Sequence, residues 1–292
     1  MLFRSNIPDG RAFRTGSGIE TQVALLSADP SGQGQAAAIR DIAGKAAHRD
    51  EALPSWARPF RVDVLPARIT FGEAWRLRDR QASASPLWAL VGVGGDELTA
   101  AGPDLAAGVP VFIVAGPAKS GRSTVLMAMA RSLLAAGTQL IVVTPRPSPL
   151  RSLATEPGAV AVFEGPGLGA AEFAGAVGSF TGPGVVIIDD AEQHRDCDAE
   201  AELSKLISFG ADAGHALVIG GDAEALSGGF GGWHVEARRA RRGCLIAPQS
   251  LPEGDLIGVR LPRSVTGEPV RPGRALLNVG DGNLLTVTVP GG

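Results

Sequence analysis

Apolar residues in this chain gather into short unbroken runs, and glycine, proline or an acid marks the end of each run. Val111 to Ala115 (VFIVA), Gln139 to Val143 (QLIVV), Ala159 to Phe163 (AVAVF), Gly184 to Ile188 (GVVII) and His215 to Gly220 (HALVIG) are too short for ordinary helices and rich in β-branched residues. Consecutive apolar positions predict strands buried on both faces, the condition of strands in a parallel sheet. Between the runs the period lengthens. Leu126, Met129 and Leu133 recur at helical spacing, Ala170 to Val177 predicts a short helix, and Glu200 to Phe209 predicts another. Alternating strands and helices predict an α/β fold with a mostly parallel sheet and helices on both faces.

The flanks read differently. Gln33 to Arg49 is alanine-rich and predicts a helix, Glu51 to Pro59 reads as a linker, Arg61 to Leu65 as a strand, and Arg76 to Ser85 as a polar stretch of little structure. Leu87 to Val93 followed by Leu98 to Leu105 predicts a hairpin. Trp233 to Arg242 predicts a helix whose last turn carries Arg238, Arg239, Arg241 and Arg242, closed by Gly243 before a strand at Cys244 to Ala247. Cations there oppose the negative helix end, or are offered to a neighbouring subunit's nucleotide or to a polyanion. Pro8 to Leu26 and Arg271 to Val289 share one order: a proline, a turn, Gly-Arg-Ala, apolar positions, a glycine-rich turn and a second strand. Each predicts an added β-hairpin. The similarity implies a tandem protein, with residues 1–50 the tail and connecting helix of a preceding module and 51–292 the next module.

Composition narrows the class. Glycine (40) and proline (21) are abundant among 292 residues, yet 45% hydrophobic residues in repeated runs exclude a disordered chain. A net charge of -3 supplies no overall field to attract nucleic acid or an anionic membrane. Two cysteines, Cys197 and Cys244, make no disulfide framework, and no apolar run is long enough to cross a bilayer as a helix. Met1 to Gly10 does not read as a signal peptide.

The candidate chemistry lies at the ends of two strands. Gly116, Gly121 and Ser123 satisfy three positions of G-x-x-x-x-G-K-[ST], with Arg122 in the lysine position. A strand, a glycine-bounded loop and a helix N-terminus in that order direct backbone N–H groups at phosphate. Gly116, Pro117, Ala118, Lys119, Ser120, Gly121, Arg122, Ser123 and Thr124 are therefore the expected ATP-phosphate cradle, with Lys119 a substitute cation. Arg122 presents a longer planar fork where lysine would present a point charge. GVVIIDD then delivers two acids to a strand's C-terminal end, where open α/β sheets bind ligands. Ser123 and Asp189 are expected to hold Mg2+, Asp190 to orient the attacking water, and Glu192 to stand in for it. A rival dinucleotide unit, Gly165-x-Gly167-x-x-Ala170 with Asp189, would set Glu164 against a pyrophosphate and leave the P-loop unexplained.

The ordered series VGVGGDEL, GPDL, GPAKSGRST, VVIIDD, LVIGGD, GW followed by ARRARRG, LIGVRLPRS and RPGRALL resembles the FtsK/SpoIIIE family of P-loop motor ATPases. Within it, the chain is most similar to the C-terminal ATPase module of the type VII secretion ATPases called EccC. The resemblance implies a RecA-like ATP-binding domain in a membrane-anchored protein on the cytoplasmic side. It implies as partners the preceding ATPase modules, an effector's C-terminal signal and a ring of further copies, with DNA the less expected cargo. Arg122 and Asp190 depart from an active motor, so the resemblance implies binding with weakened hydrolysis, or a docking module with a relic P-loop.

Overall fold

The computed structural model of the protein describes residues 10–13, 18–50, 62–267 and 271–291, which fall in two compact units, Met1–Arg61 and Val62–Gly292. The Glu51 to Pro59 linker lies outside the described residues. In the first unit, β1 (Arg11–Phe13) and β2 (Glu20–Gln22) form an antiparallel hairpin followed by α1 (Gly32–Asp50). Gly10 opens the hairpin at φ 80°, and the Val23 N–H donates to its carbonyl at 2.7 Å.

The second unit begins with α2 (Phe71–Arg76), where Thr70 and Glu73 form a reciprocal capping box. In chain order follow β3 (Gly92–Gly94), β4 (Thr99–Ala101), β5 (Val111–Ala115), α3 (Arg122–Ala135), β6 (Gln139–Thr144), β7 (Ala159–Glu164), α4 (Ala170–Gly178) and β8 (Gly184–Ile188). The remainder are α5 (Glu200–Phe209), β9 (His215–Gly221), α6 (Ala223–Ser227), α7 (Trp233–Arg238), β10 (Gly243–Leu245), β11 (Arg274–Asn278) and β12 (Leu285–Thr288). They build one sheet in the order β4-β3-β12-β11-β10-β5-β9-β8-β6-β7. The run from β10 to β7 is parallel throughout, and the four strands beyond β10 are antiparallel.

The unbroken apolar runs are explained by two cores. Alternate residues of a strand face opposite ways. Phe112, Val114, Leu140, Val142, Val185 and Ile187 pack with Leu126, Met129 and Leu133 of α3 on one face. Val111, Ile113, Ile141, Val143, Val186 and Ile188 pack with Phe173, Leu203, Leu206 and Trp233 on the other. The α/β sheet with helices on both faces is therefore the fold. β5 and β8 are not neighbours, because β9 pairs with both.

The β11–β12 hairpin is the expected addition. It opens as the first does, with Gly273 at φ 76° and the Val289 N–H donating to its carbonyl at 2.8 Å.

Four expectations need correction. Residues 62–65 form no strand; their ladder is replaced by single bonds such as Asp63 N–H to Asp96 O at 2.8 Å. The stretch after Arg76 is turned rather than featureless, since Asp79 Oδ1 accepts from the Gln81 and Ala82 N–H groups. The helix from Trp233 ends at Arg238, so the four arginines do not share its last turn. Arg241 has φ 49° and sends Arg242 inward, where the guanidinium, 4% exposed, donates to the carbonyls of Val111 (2.9 Å), Asp104 (3.1 Å), Ala107 (2.5 Å) and Leu105 (3.4 Å). Arg242 is thus an internal tie between the β4–β5 connection and the core. The strand after it stops at Leu245, and Ala247 turns the chain at φ 47°.

Candidate functional site

The C-terminal ends of β5, β9, β8 and β6 meet at one edge of the sheet, and the expected site residues sit there. Gly116 directly follows β5 and has no room for a side chain: a Cβ would lie 2.6 Å from the Ile246 carbonyl oxygen and 2.9 Å from Ser120 Oγ. Lys119 at φ 61° and Gly121 at φ 110° then turn the loop into α3. Such alternation turns successive N–H groups into a concave, anion-accepting surface. The backbone N–H groups of Lys119, Gly121, Arg122 and Ser123 have no backbone acceptor among the described residues. Ser120 Oγ is buried without a partner. Pro117 is half-buried, whereas Ala118, Lys119 and Thr124 are exposed.

Opposite this loop, β8 ends in the two acids. Asp189 is only 4% exposed, and its Oδ2 accepts from Ser123 Oγ at 2.8 Å and from Ser148 Oγ at 2.7 Å. The two hydroxyl donors offset the cost of burying that carboxylate. Asp190 adopts φ 50°, ψ 48°, a left-handed conformation that Asp and Asn tolerate better than other side chains. Its Oδ1 accepts from Arg122 Nη2 at 2.6 Å in a pair whose side chains are 10% and 15% exposed. Arg122 Nη1 donates to the Gly116 carbonyl at 3.0 Å. The guanidinium is therefore held by the loop's first residue and by the second acid. Arg146 Nη1 stands 3.9 Å from the other Asp190 oxygen. Glu192 leans toward β9, where its Oε2 accepts from the Asp222 N–H at 3.3 Å.

The residues fit a magnesium nucleotide. One hydroxyl and one carboxylate already 2.8 Å apart are the oxygen donors that magnesium takes from a protein when phosphate and water complete its octahedron. The free N–H groups fit phosphate oxygens. Among the described residues there is no cluster of three His, Cys, Asp or Glu side chains fit to hold a metal by itself.

Several residues at this edge of the sheet escaped sequence reading. Ser148 and Arg146 lie in the loop after β6, whose strand ends at the same sheet edge; that position was the available signal. Thr124 opens onto a cleft of about 510 Å3 lined also by Arg68, Thr70, Glu73, Pro272, Val289 and Gly291. Thr70-x-x-Glu73 has the pattern of a capping box, a local signal that says nothing of its nearness to the loop. The cleft forms because Gly291 N–H donates to the Ile69 carbonyl at 2.9 Å, joining distant parts of the sequence. The glycines of the dinucleotide rival follow the edge strand β7, where Glu164 pairs with Arg151 at 2.6 Å. His194 and His234 are buried with unpartnered ring nitrogens and belong to the core around Trp233, whose Nε1 donates to the His194 carbonyl at 2.9 Å. Burial pushes the Cys244 thiol up to about 12, so it is an inert core residue.

No protein-family description and no curated protein matches the sequence. Solved structures do match in fold. EssC (ATPases 2 and 3) from Geobacillus thermodenitrificans superposes with a TM-score of 0.63 at 16% identity over 99% of this chain and 57% of that one. Thermomonospora curvata EccC (ATPases 2 and 3), solved with a signal sequence peptide, gives 0.60 at 19% identity over 97% and 53%. The pCW3 conjugation coupling protein TcpA with ATPγS gives 0.50 at 16% identity over 78% and 70%. The chain thus spans little more than half of either secretion ATPase structure. It has the fold shared by the EssC and EccC ATPase 2 and 3 structures.

Proposed function

We propose that the chain is an ATP-binding module of a type VII secretion motor, with hydrolysis weakened at Arg122 and Asp190. The Ser123 to Asp189 bond, set beside a loop of unsatisfied N–H groups, carries this reading. Gly116 to Thr124 cradle the phosphates, Ser123 and Asp189 hold magnesium, and the cleft beside Thr124 receives the base. Magnesium, when bound, supplies charge neutralisation at the phosphoryl oxygens. Asp190 and Glu192 are the acids available to water, and Asp190 is engaged by Arg122.

Neighbouring modules of the same polypeptide and an effector's C-terminal signal are the proposed partners, the latter supported by likeness to a structure bearing a signal peptide. Residues 1–50 are then the tail of a preceding module, supported by the shared opening bond of the two hairpins. Assembly as a ring at the cytoplasmic side of the membrane belongs to the same reading. Among the described residues, no helix is long and apolar enough to cross a membrane.

DNA translocation is the second reading, favoured by likeness to a conjugation coupling protein. Duplex binding that falls steeply with salt would promote it.

Isothermal titration of ATP–magnesium into the chain tests the main reading. Binding should weaken in both Asp189→Ala and Ser123→Ala. Absence of binding in every form would leave a docking module with a relic P-loop.

A further inference from the structure

The second acid and the P-loop arginine are bonded to each other, and this has a consequence for which nucleotide the site prefers. In a P-loop the charge after the second glycine attracts the outer phosphates. Here that charge belongs to Arg122, and Asp190 already neutralises it at 2.6 Å in surroundings that leave the two side chains 10% and 15% exposed. A third phosphate must compete with Asp190 for the guanidinium. It must also approach the Asp190 carboxylate, and like charges at short range repel most where water is scarce. The inner phosphates escape this competition, because the free N–H groups of Lys119, Gly121, Arg122 and Ser123 serve them.

The other cations do not replace Arg122. Lys119 is exposed, so water and salt screen it. Arg146 is 55% exposed and lies beside the other oxygen of Asp190. Resting on the nucleotide reading above, we infer that the Arg122–Asp190 pair determines specificity for phosphate number: the site holds a nucleoside diphosphate at least as tightly as the triphosphate. Asp190 acts here through Arg122 and is a positioning residue in this respect.

The test compares ADP–magnesium with a non-hydrolysable ATP analogue, by titration into the wild-type chain and into Asp190→Asn. Asparagine keeps the shape, tolerates the left-handed backbone and removes the charge. The wild-type chain should bind ADP as tightly as the analogue or more so. In Asp190→Asn the affinity ratio should move about tenfold toward the triphosphate, the scale of one charge-assisted bond. An analogue that binds wild type tenfold more tightly than ADP would overturn the inference, as would a ratio unmoved by the substitution. If neither nucleotide binds either form, the nucleotide reading fails first and takes this inference with it. Arg122→Lys separates fold damage from specificity: a folded variant that binds ADP should favour the triphosphate more than wild type does.

Discussion

Replacing Arg242 with alanine should cost about 3–5 kcal/mol of folding stability, the upper part of the range for truncating a large buried side chain, because carbonyls are also left without donors. The estimate starts from four carbonyl acceptors on one guanidinium, each bond to a charged donor contributing about 1.5–3 kcal/mol before the donor's desolvation is subtracted. At 4% exposure that desolvation is large, and burial accordingly lowers the arginine's proton affinity, with Asp104 acting in the opposite sense. The alanine variant loses the donors, opens a cavity and strands carbonyls of Asp104, Leu105, Ala107 and Val111. Guanidinium chloride unfolding measures the loss, with a melting shift of about 6–20 °C expected for a unit of this size. Arg242→Lys should recover only part, because one ammonium has three donors and no fork. A loss below about 1 kcal/mol would refute the clamp. It would return Arg242 to the surface cluster that the sequence suggested.

Three further outcomes can be checked. Gly116→Ala should lower stability by about 1–3 kcal/mol, because the added methyl meets the Ile246 carbonyl, which is backbone and cannot move cheaply; a melting curve superposable on wild type would contradict this. Burial lowers the affinity of His194 and His234 for protons, with Arg195 and Arg238 adding to the effect at His234. The unfolded chain then takes up protons first as pH falls below about 6.5, so stability is complete above that pH and declines below it, by at most about 1.4 kcal/mol per unit per histidine. Urea midpoints at pH 7.5 and 5.5 measure this, and His194→Gln should shrink the difference. Arg122→Lys with Asp190→Glu should raise ATP turnover over either single change in a phosphate-release assay, although glutamate at φ 50° costs about 1 kcal/mol more than aspartate.

Much of the fold was legible because both faces of the sheet are covered: strands with no solvent face leave unbroken apolar runs, and Val111 to Ala115 and Gly184 to Ile188 fall where those runs are. The glycine-bounded loop and the acids were legible for a local reason, since each occupies a strand end and its motif is contiguous. What was hidden depends on pairing across long sequence distances. Nothing in the composition of ARRARR separates Arg242, which serves carbonyls more than 130 residues away, from its exposed neighbours. Nor does either motif alone disclose that Arg122 and Asp190, each odd for an active motor, are partners 68 residues apart. Residues 62–65 read as a strand because alternation was present, but among the described residues no strand forms a backbone ladder with them, and Leu65 is reached instead by the Arg274 side chain.

β9 gives the site its internal gauge. It is the spacer between the strand that carries the loop and the strand that carries the acids, and its Gly220 leaves only thin clearance: a Cβ there would meet Leu126 Cδ1 at 2.7 Å and Asp189 Oδ1 at 3.5 Å. The pairing of β9 with both strands sets the separation of the two halves of the site, and Gly220 keeps the strand between them free of a side chain. Asp222 follows β9 directly and caps α6, its side chain accepting from the Glu224 and Ala225 N–H groups. A side chain at Gly220 would press on Leu126 of α3 and touch Asp189 at once, so the fold keeps this strand end bare between the loop and the acids.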